Sequence, residues 1–373
     1  MRVLMISKAC VVGTYQRKLE EIARLGVDLT VVVPPSWRDE RGEMALERAH
    51  TEGYTLVVNP IRFNGNFHLH YYPGLNRWFT PKPDIVHIDE EPYNAATWQA
   101  LRLARRAGAK TLFFSWQNIL RRYPPPFSLG EWWTLRSVDH VIVGTESAGA
   151  IWRQKGYEGP LTIIPQFGVD PDLFRPPTRP IAGRTRTLGY VGRLVPEKGV
   201  DVLLRALGQI MAEGLTQWRL DIIGGGPQRD ALERLVAELG LDEHVTFIGQ
   251  VPSTQMPVFF RQLDVLLLPS LTRPNWKEQF GRVLIEAMAC GSVVVASDSG
   301  AIPDVVGDAA LITSEGDVTS LAHALRRLLQ DDDLRQELAR RGRERVTNHF
   351  TMQQIARETV NVYREMLGLP RQD

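Results

Sequence analysis

Asn275-Trp-Lys-Glu-Gln-Phe-Gly-Arg-Val-Leu-Ile-Glu-Ala-Met-Ala-Cys-Gly291 sets two carboxylates, Glu278 and Glu286, around a Phe280-Gly281 turn that opens an apolar helix. The run Asp264-Val-Leu-Leu-Leu-Pro-Ser270 precedes it and Ser292-Val-Val-Val-Ala-Ser297 follows. Continuous apolar runs of this length, separated by a helical pattern, read as strand, loop, helix and strand of a parallel sheet. Ligands of such sheets bind beyond the carboxyl ends of the strands. Glu278, in the loop, and Glu286, in the first turns of the helix, therefore stand where a ligand would meet them.

Gly189-Tyr-Val-Gly-Arg-Leu-Val-Pro-Glu-Lys-Gly-Val-Asp-Val-Leu-Leu204 repeats the layout. A short strand ends at Gly192 and a helix starts near Gly199, which leaves Arg193 and Lys198 in the turn between them. Unpaired N–H groups and the positive end of a helix dipole favour an anion, and Arg and Lys add charge-assisted hydrogen bonds. The turn suits a diphosphate.

Working outward, strand-like runs alternate with helical patterns. They run from Val3–Ile6 through a helix at Tyr15–Leu25, Leu29–Val33, Asp84–Ile88, a helix at Tyr93–Ala107 and Thr111–Ser115 to Val141–Gly144. The alternation resumes with Thr187–Val191, a helix at Val200–Ala212, Trp218–Ile223, a helix at Gln228–Leu239, Val245–Ile248, Val265–Pro269, the Glu286 helix and Val293–Ala296. This predicts an α/β fold with two Rossmann-like, doubly wound parallel-sheet domains. Between the halves, Ile164–Pro180 carries prolines at 165, 171, 176, 177 and 180, which forbid a regular helix and mark a linker. A chain of 373 residues also exceeds what one core usually serves.

Composition removes several classes. Lys and Arg number 44 against 43 Asp and Glu, a formal net charge of +1 that gives no footing for nucleic acid. Cys10 and Cys290, far apart and in apolar settings, form neither a disulfide framework nor a zinc spacing. The apolar run within Met1–Lys8 is too short for a signal peptide, and nothing approaches the roughly 18 apolar residues of a membrane span. A cytoplasmic protein is expected, with peripheral association at the inner face of a membrane left open.

With Glu278-Gln-Phe-Gly281 followed by Glu286, and Gly192-Arg-Leu-x-x-x-Lys-Gly199 upstream, the chain resembles the retaining family-4 glycosyltransferases of the GT-B fold, the glycosyl transferases group 1. Their donor signature is a Glu, seven residues and a Glu. The resemblance spans nearly the whole chain and is closer in its second half. It implies an acceptor-side domain over 1–168, with the C-terminal helix 352–373 packed back on it, and a nucleotide-sugar domain over 169–351 that closes with it on a central cleft. It implies transfer of a sugar from a nucleotide-diphosphate sugar to a glycan, lipid-linked or small-molecule acceptor, with retention and without metal or cofactor, for polysaccharide or glycolipid assembly. Arg193 and Lys198 would hold the diphosphate and stabilise its departure. Glu278 would orient sugar hydroxyls, and Glu286 would accept from the ribose. Gly13, Gly225 of Gly224–Pro227, Val251 of Phe247–Pro252, Phe280 and Gly281 complete the implied donor site. The departing phosphate would itself take the acceptor's proton.

The first half departs from the family pattern. Only Gly13 remains of the usual double-glycine turn after strand one. Trp116-Gln117-Asn118 stands where many members present a His; Gln117 and Asn118 can hydrogen-bond an acceptor but cannot take a proton. At the linker, Pro165-Gln166-Phe167-Gly168-Val169-Asp170 replaces the family's Asn and inserts Phe167. Asp89-Glu90-Glu91 offers acceptor-side carboxylates, Glu90 among them, or simply suits a helix N-terminus. His87 reads as a core histidine.

Asp170-Pro-Asp172 and Asp331-Asp-Asp333 fall in the linker and at a helix cap, so no metal site is expected. The aromatic and basic segment Ile119–Arg136 could face a lipid-linked acceptor or a membrane. The usual burial of tryptophan instead sets the expectation that Trp132 and Trp133 cover a core. Two alternatives stay open: a GT-B-like nucleotide-sugar epimerase, which would need an acid/base pair that no spacing places, and a non-catalytic nucleotide-sugar-binding protein, which would have no use for Glu278. A dehydrogenase is disfavoured because no Gly-x-Gly-x-x-Gly follows a strand. Nucleotide base, acceptor and oligomeric state have no side-chain code in these motifs.

Overall fold

The computed structural model describes residues 1–39, 42–177, 185–252 and 255–372; the last part of the Pro-rich segment, 178–180, lies outside them. Contacts divide the chain into one unit of Met1–Phe167 with Met352–Asp373 and a second of Gly168–Thr351.

The first unit runs β1 (Arg2–Ser7), α1 (Arg17–Arg24), β2 (Asp28–Val33), β3 (Ser36–Asp39), β4 (Gly42–Ala45), β5 (Thr55–Val58), β6 (Ile85–Asp89), α2 (Ala95–Ala107), β7 (Lys110–Ser115), α3 (Phe127–Leu135), β8 (His140–Val143), α4 (Glu146–Gln154) and β9 (Leu161–Ile163). Among the described residues its parallel sheet has the order β5-β2-β1-β6-β7-β8-β9, beside a β3–β4 antiparallel hairpin. Successive side chains of a strand leave opposite faces. Val3 and Met5 of β1 accordingly pack with Leu19 and Ile22 of α1 and with Ile355, Val360 and Tyr363, whereas Leu4 and Ile6 pack with Ala96, Ala100 and Leu101 of α2. Both faces are covered, which is why β1 reads as an unbroken apolar run from Val3 to Ile6.

The second unit runs β10 (Arg186–Val191), α5 (Val200–Ala212), β11 (Trp218–Ile223), α6 (Arg229–Glu238), β12 (Val245–Gly249), α7 (Met256–Phe260), β13 (Val265–Leu268), α8 (Arg282–Ala289), β14 (Val293–Ser297), α9 (Ile302–Val306), β15 (Ala310–Thr313), α10 (Val318–Gln330) and α11 (Asp332–His349). Its strands, all parallel, take the order β12-β11-β10-β13-β14-β15. Leu188, Tyr190, Leu220, Ile222, Val265 and Leu267 form one core with α5, α6 and α10. The final helix α12 (Met352–Met366) supplies the Ile355–Tyr363 face of the first unit's core.

Each sheet reverses strand order once, between β1 and β6 and between β10 and β13. Segments leaving those strands diverge there and open the crevice in which α/β proteins hold ligands. The expected helix at Tyr15–Leu25 is a 3-10 turn, Gly13–Gln16, followed by α1. Strands β5, β9 and β15, which the apolar pattern does not predict, are short sheet edges whose residues are mostly partly exposed.

Candidate functional site

In the second unit, Arg193 and Lys198 follow β10, and Glu278 follows β13, so the order reversal places them on neighbouring strands' loops. Lys198 Nζ lies 2.5 Å from Glu278 Oε2, and both side chains are largely withdrawn from water. Ser270 Oγ donates to the same carboxylate at 3.0 Å. The Trp276 ring lies against the ammonium, its centroid 4.7 Å from Nζ.

Backbone geometry holds the pair in place. Gly199, at φ 61°, turns the chain into α5, and a Cβ there would collide with the Pro269 carbonyl. Gly300, at φ 57°, lies against the Glu278 backbone, and Ala301 N–H donates to the Glu278 carbonyl at 3.0 Å. Those φ values suit glycine because it lacks a Cβ. Arg193 is half-exposed, 3.6 Å from Glu197, and its carbonyl accepts the Tyr190 hydroxyl at 2.8 Å.

Other expected donor contacts are placed differently. Phe280 is buried against Phe350, ring centroids 5.8 Å apart, and Gly281 takes φ 74° at the start of α8. The Phe-Gly step thus anchors and turns the loop rather than lining it. Gly224 and Gly226 lie against the Gly192 and Leu194 carbonyls, and Leu194 N–H donates to the Gly225 carbonyl at 2.9 Å. The glycine triplet therefore backs the Arg193 turn, and a Cβ at Gly225 would meet the Gln250 side chain at ordinary contact distance. Val251 is partly buried beyond the end of β12. Glu286 is buried on α8 with Arg282 Nε 2.9 Å from Oε1; burial pushes its carboxyl up, against the pull of Arg282.

In the first unit, Gly13 is not open to a phosphate: its N–H donates to Glu47 at 2.7 Å, and Ala49 crowds the position a Cβ would take. The Asp89–Glu91 carboxylates are likewise occupied. Asp89 accepts Ser7 Oγ at 2.5 Å and Gln166 Nε2 at 2.6 Å. Glu91 accepts Ser115 Oγ at 2.7 Å and the Trp116 N–H at 3.0 Å. Glu90 is buried with Lys8, Tyr72 Oη at 3.1 Å and His70 Nε2 at 3.3 Å. Burial raises the Glu90 carboxyl, but the Lys8 ammonium and His70 overcome this and hold it at about 2. This carboxylate is an internal anchor rather than an exposed acceptor contact. Lys8 was missed in the sequence, although a cation directly after β1 is a local signal, and so were His70 and Tyr72, which a loop far along the chain brings in. Gln117 and Asn118 are buried past β7, and Gln117 Oε1 has no hydrogen-bond partner among the described residues.

The two Asp strings have local duties. Asp170 Oδ1 accepts the Asp172 N–H at 2.9 Å, and Asp331 caps α11 through the Leu334 N–H at 2.8 Å. Trp133 packs on the first unit's core, but Trp132 is 56% exposed and Leu129 63%, which corrects the expectation that both tryptophans are covered. Arg136 lies 4.8 Å from the Trp132 ring centroid. Among the described residues no helix is long and apolar enough to cross a membrane.

Comparison with known proteins follows the same two units. The family described as glycosyl transferases group 1 matches residues 176–345, and the glycosyl transferase 4-like domain matches 12–166. D-inositol 3-phosphate glycosyltransferases of Mycobacterium bovis and Mycobacterium tuberculosis are each 29% identical over 312 residues, 78% of this chain. The aligned part is 57% of those relatives' length. Among solved structures, sucrose-phosphate synthase from Thermosynechococcus elongatus superposes with a TM-score of 0.71 at 23% identity, covering 99% of each chain. Anabaena HepE in complex with UDP and glucose gives 0.69 at 18% identity, covering 98% of this chain and 100% of its own. The fold is GT-B, and its two units match in chain order the glycosyl transferase 4-like domain and the glycosyl transferases group 1 family.

Proposed function

We propose that the protein transfers a sugar from a nucleotide-diphosphate sugar to a hydroxyl acceptor, with retention at the anomeric carbon and without a metal. The observation that carries this reading is the Lys198–Glu278 pair at the order reversal of the second sheet, beside Arg193. Named complexes support the donor class, since HepE structures hold UDP and UDP-glucose. In the reaction the bond between the anomeric carbon and the diphosphate breaks, and the acceptor oxygen bonds the same face of that carbon. The acceptor proton passes to the departing phosphate oxygen. Arg193 and Lys198 stabilise the charge that develops on the diphosphate, where preorganised donors act most strongly. Glu278 accepts hydrogen bonds from sugar hydroxyls, and Glu286 from the ribose. On the acceptor side, Gln117 and Asn118 supply amide contacts; Glu90 serves by fixing Lys8.

Titration of the purified chain with UDP, GDP and ADP tests the donor site. One nucleotide should bind saturably, binding should survive EDTA, and Arg193→Ala and Glu286→Ala should each weaken it. Absence of binding to all three would sink the transferase reading, and loss with EDTA would overturn metal independence. Retention is read by NMR from the anomer formed at the start of turnover.

The exposure of Leu129 and Trp132, with Arg136 against the Trp132 ring and with Arg121 and Arg122 exposed in the preceding segment, favours a lipid-linked acceptor met at an anionic membrane face. Trp inserts at such interfaces and each basic residue near them contributes about 1 kcal/mol. Flotation with vesicles containing phosphatidylserine should carry the protein, and Trp132→Ala should reduce its bound fraction several-fold. Equal binding by that variant would remove α3 from the contact.

A further inference from the structure

The loop between β13 and α8 carries a residue that the donor motifs do not include. Arg273 and Trp276 exchange backbone hydrogen bonds, Arg273 N–H to Trp276 carbonyl at 2.8 Å and Trp276 N–H to Arg273 carbonyl at 3.1 Å, closing a tight loop. That loop is tied to the turn bearing Lys198: Leu271 N–H donates to the Glu197 carbonyl at 2.8 Å, and Arg273 Nη2 to the Pro196 carbonyl at 3.4 Å. On its other flank Thr272 Oγ1 donates to Glu315 at 2.5 Å, and Glu315 N–H donates to Asp298 at 2.9 Å. The indole of Trp276 is therefore fixed over Lys198, 4.7 Å from Nζ.

We infer that Trp276 is a positioning residue for Lys198, holding the ammonium aimed at the diphosphate. The inference rests on the donor-site reading above. Lysine has three N–H donors on a flexible four-carbon stem, so its charge must be held to act at one point. Glu278 takes one donor. A second carboxylate would hold the ammonium too, but would cancel its charge toward a phosphate. An aromatic face attracts the cation through its quadrupole without taking a hydrogen bond, and so leaves donors for an anionic oxygen.

The test is nucleotide titration of wild type, Trp276→Ala, Trp276→Phe, Lys198→Met and the Trp276→Ala/Lys198→Met double variant, with melting temperatures alongside. Trp276→Ala should weaken binding of the nucleotide that wild type takes by about tenfold, within the range of a partly desolvated cation–π contact. Trp276→Phe should recover most of it. In the Lys198→Met background the same alanine change should cost little, since contacting residues couple in a double-mutant cycle. Unchanged binding by Trp276→Ala overturns the inference, as does a loss of equal size with and without Lys198, or a Phe variant as weak as Ala. If wild type and Lys198→Met differ while Trp276→Ala does not, only the role of Trp276 falls. If wild type binds no nucleotide, the donor-site reading falls and takes this with it.

Discussion

Lys198→Ala should lower kcat by about 10²- to 10³-fold, the usual cost of removing one preorganised donor to developing negative charge. The geometry makes the effect large. The ammonium is largely withdrawn from water, within 2.5 Å of Glu278, so no solvent cation replaces it during turnover. Its removal also takes from the buried Glu278 carboxylate the ammonium that lies against it, and losing one partner of a buried ion pair is destabilising. Lys198→Arg should fall between the two, because the planar guanidinium keeps the charge but not the compact geometry that fits beside Trp276. The measurement is initial-rate turnover of the nucleotide sugar identified by the titrations, with KM determined separately. A kcat within threefold of wild type for Lys198→Ala would remove Lys198 from the chemistry.

The second large effect belongs to the first unit and to stability. At neutral pH, Glu90→Gln should unfold more readily than wild type by about 3 kcal/mol, from a carboxyl held at about 2 instead of 4.5 and 1.36 kcal/mol for each unit. The folded pKa lies below the unfolded one, so this contribution is present above pH 4.5 and is lost as pH falls toward 2. The gap between the two proteins should narrow to about 2 kcal/mol at pH 3.5 by the same linkage. Urea unfolding at pH 7, 5 and 3.5 reads it directly. Taking the difference cancels the other carboxylates, which titrate in both proteins. A gap that stays constant with pH would mean that Glu90 acts through shape alone and not through its charge on Lys8.

The motifs proposed for the donor side are legible along the chain because they are local. Arg193 and Lys198 sit in one strand-to-helix turn, Glu278 and Glu286 in one loop and helix, and each turn is written in glycines and apolar runs adjacent to them. The acceptor side was read poorly for the opposite reason. Glu90 lies at a strand end that suggested an exposed carboxylate, yet Lys8, His70 and Tyr72 arrive from separate segments to bury it. Gly13 looked like a phosphate turn, and a carboxylate 34 positions away occupies its N–H. Phe280 reads as part of a ligand motif and is instead a core anchor, because Phe350 at the far end of α11 packs on it. Trp132 shows the converse: hydrophobicity predicted burial, but α3 turns Trp133 inward and leaves Trp132 in solvent.

Local order along the chain thus determined the two α/β halves, the strand-to-helix turns and the charged residues in them, since hydrophobic period and glycine placement act over a few residues. Tertiary structure alone decided which of those residues meet. Parallel pairing of β10 with β13 brings Lys198 to Glu278 across 80 positions, and the strap from Leu271 to Lys277 then seats Trp276 on the pair. No local pattern encodes such a contact, because it is set by strand order in the sheet rather than by distance along the chain.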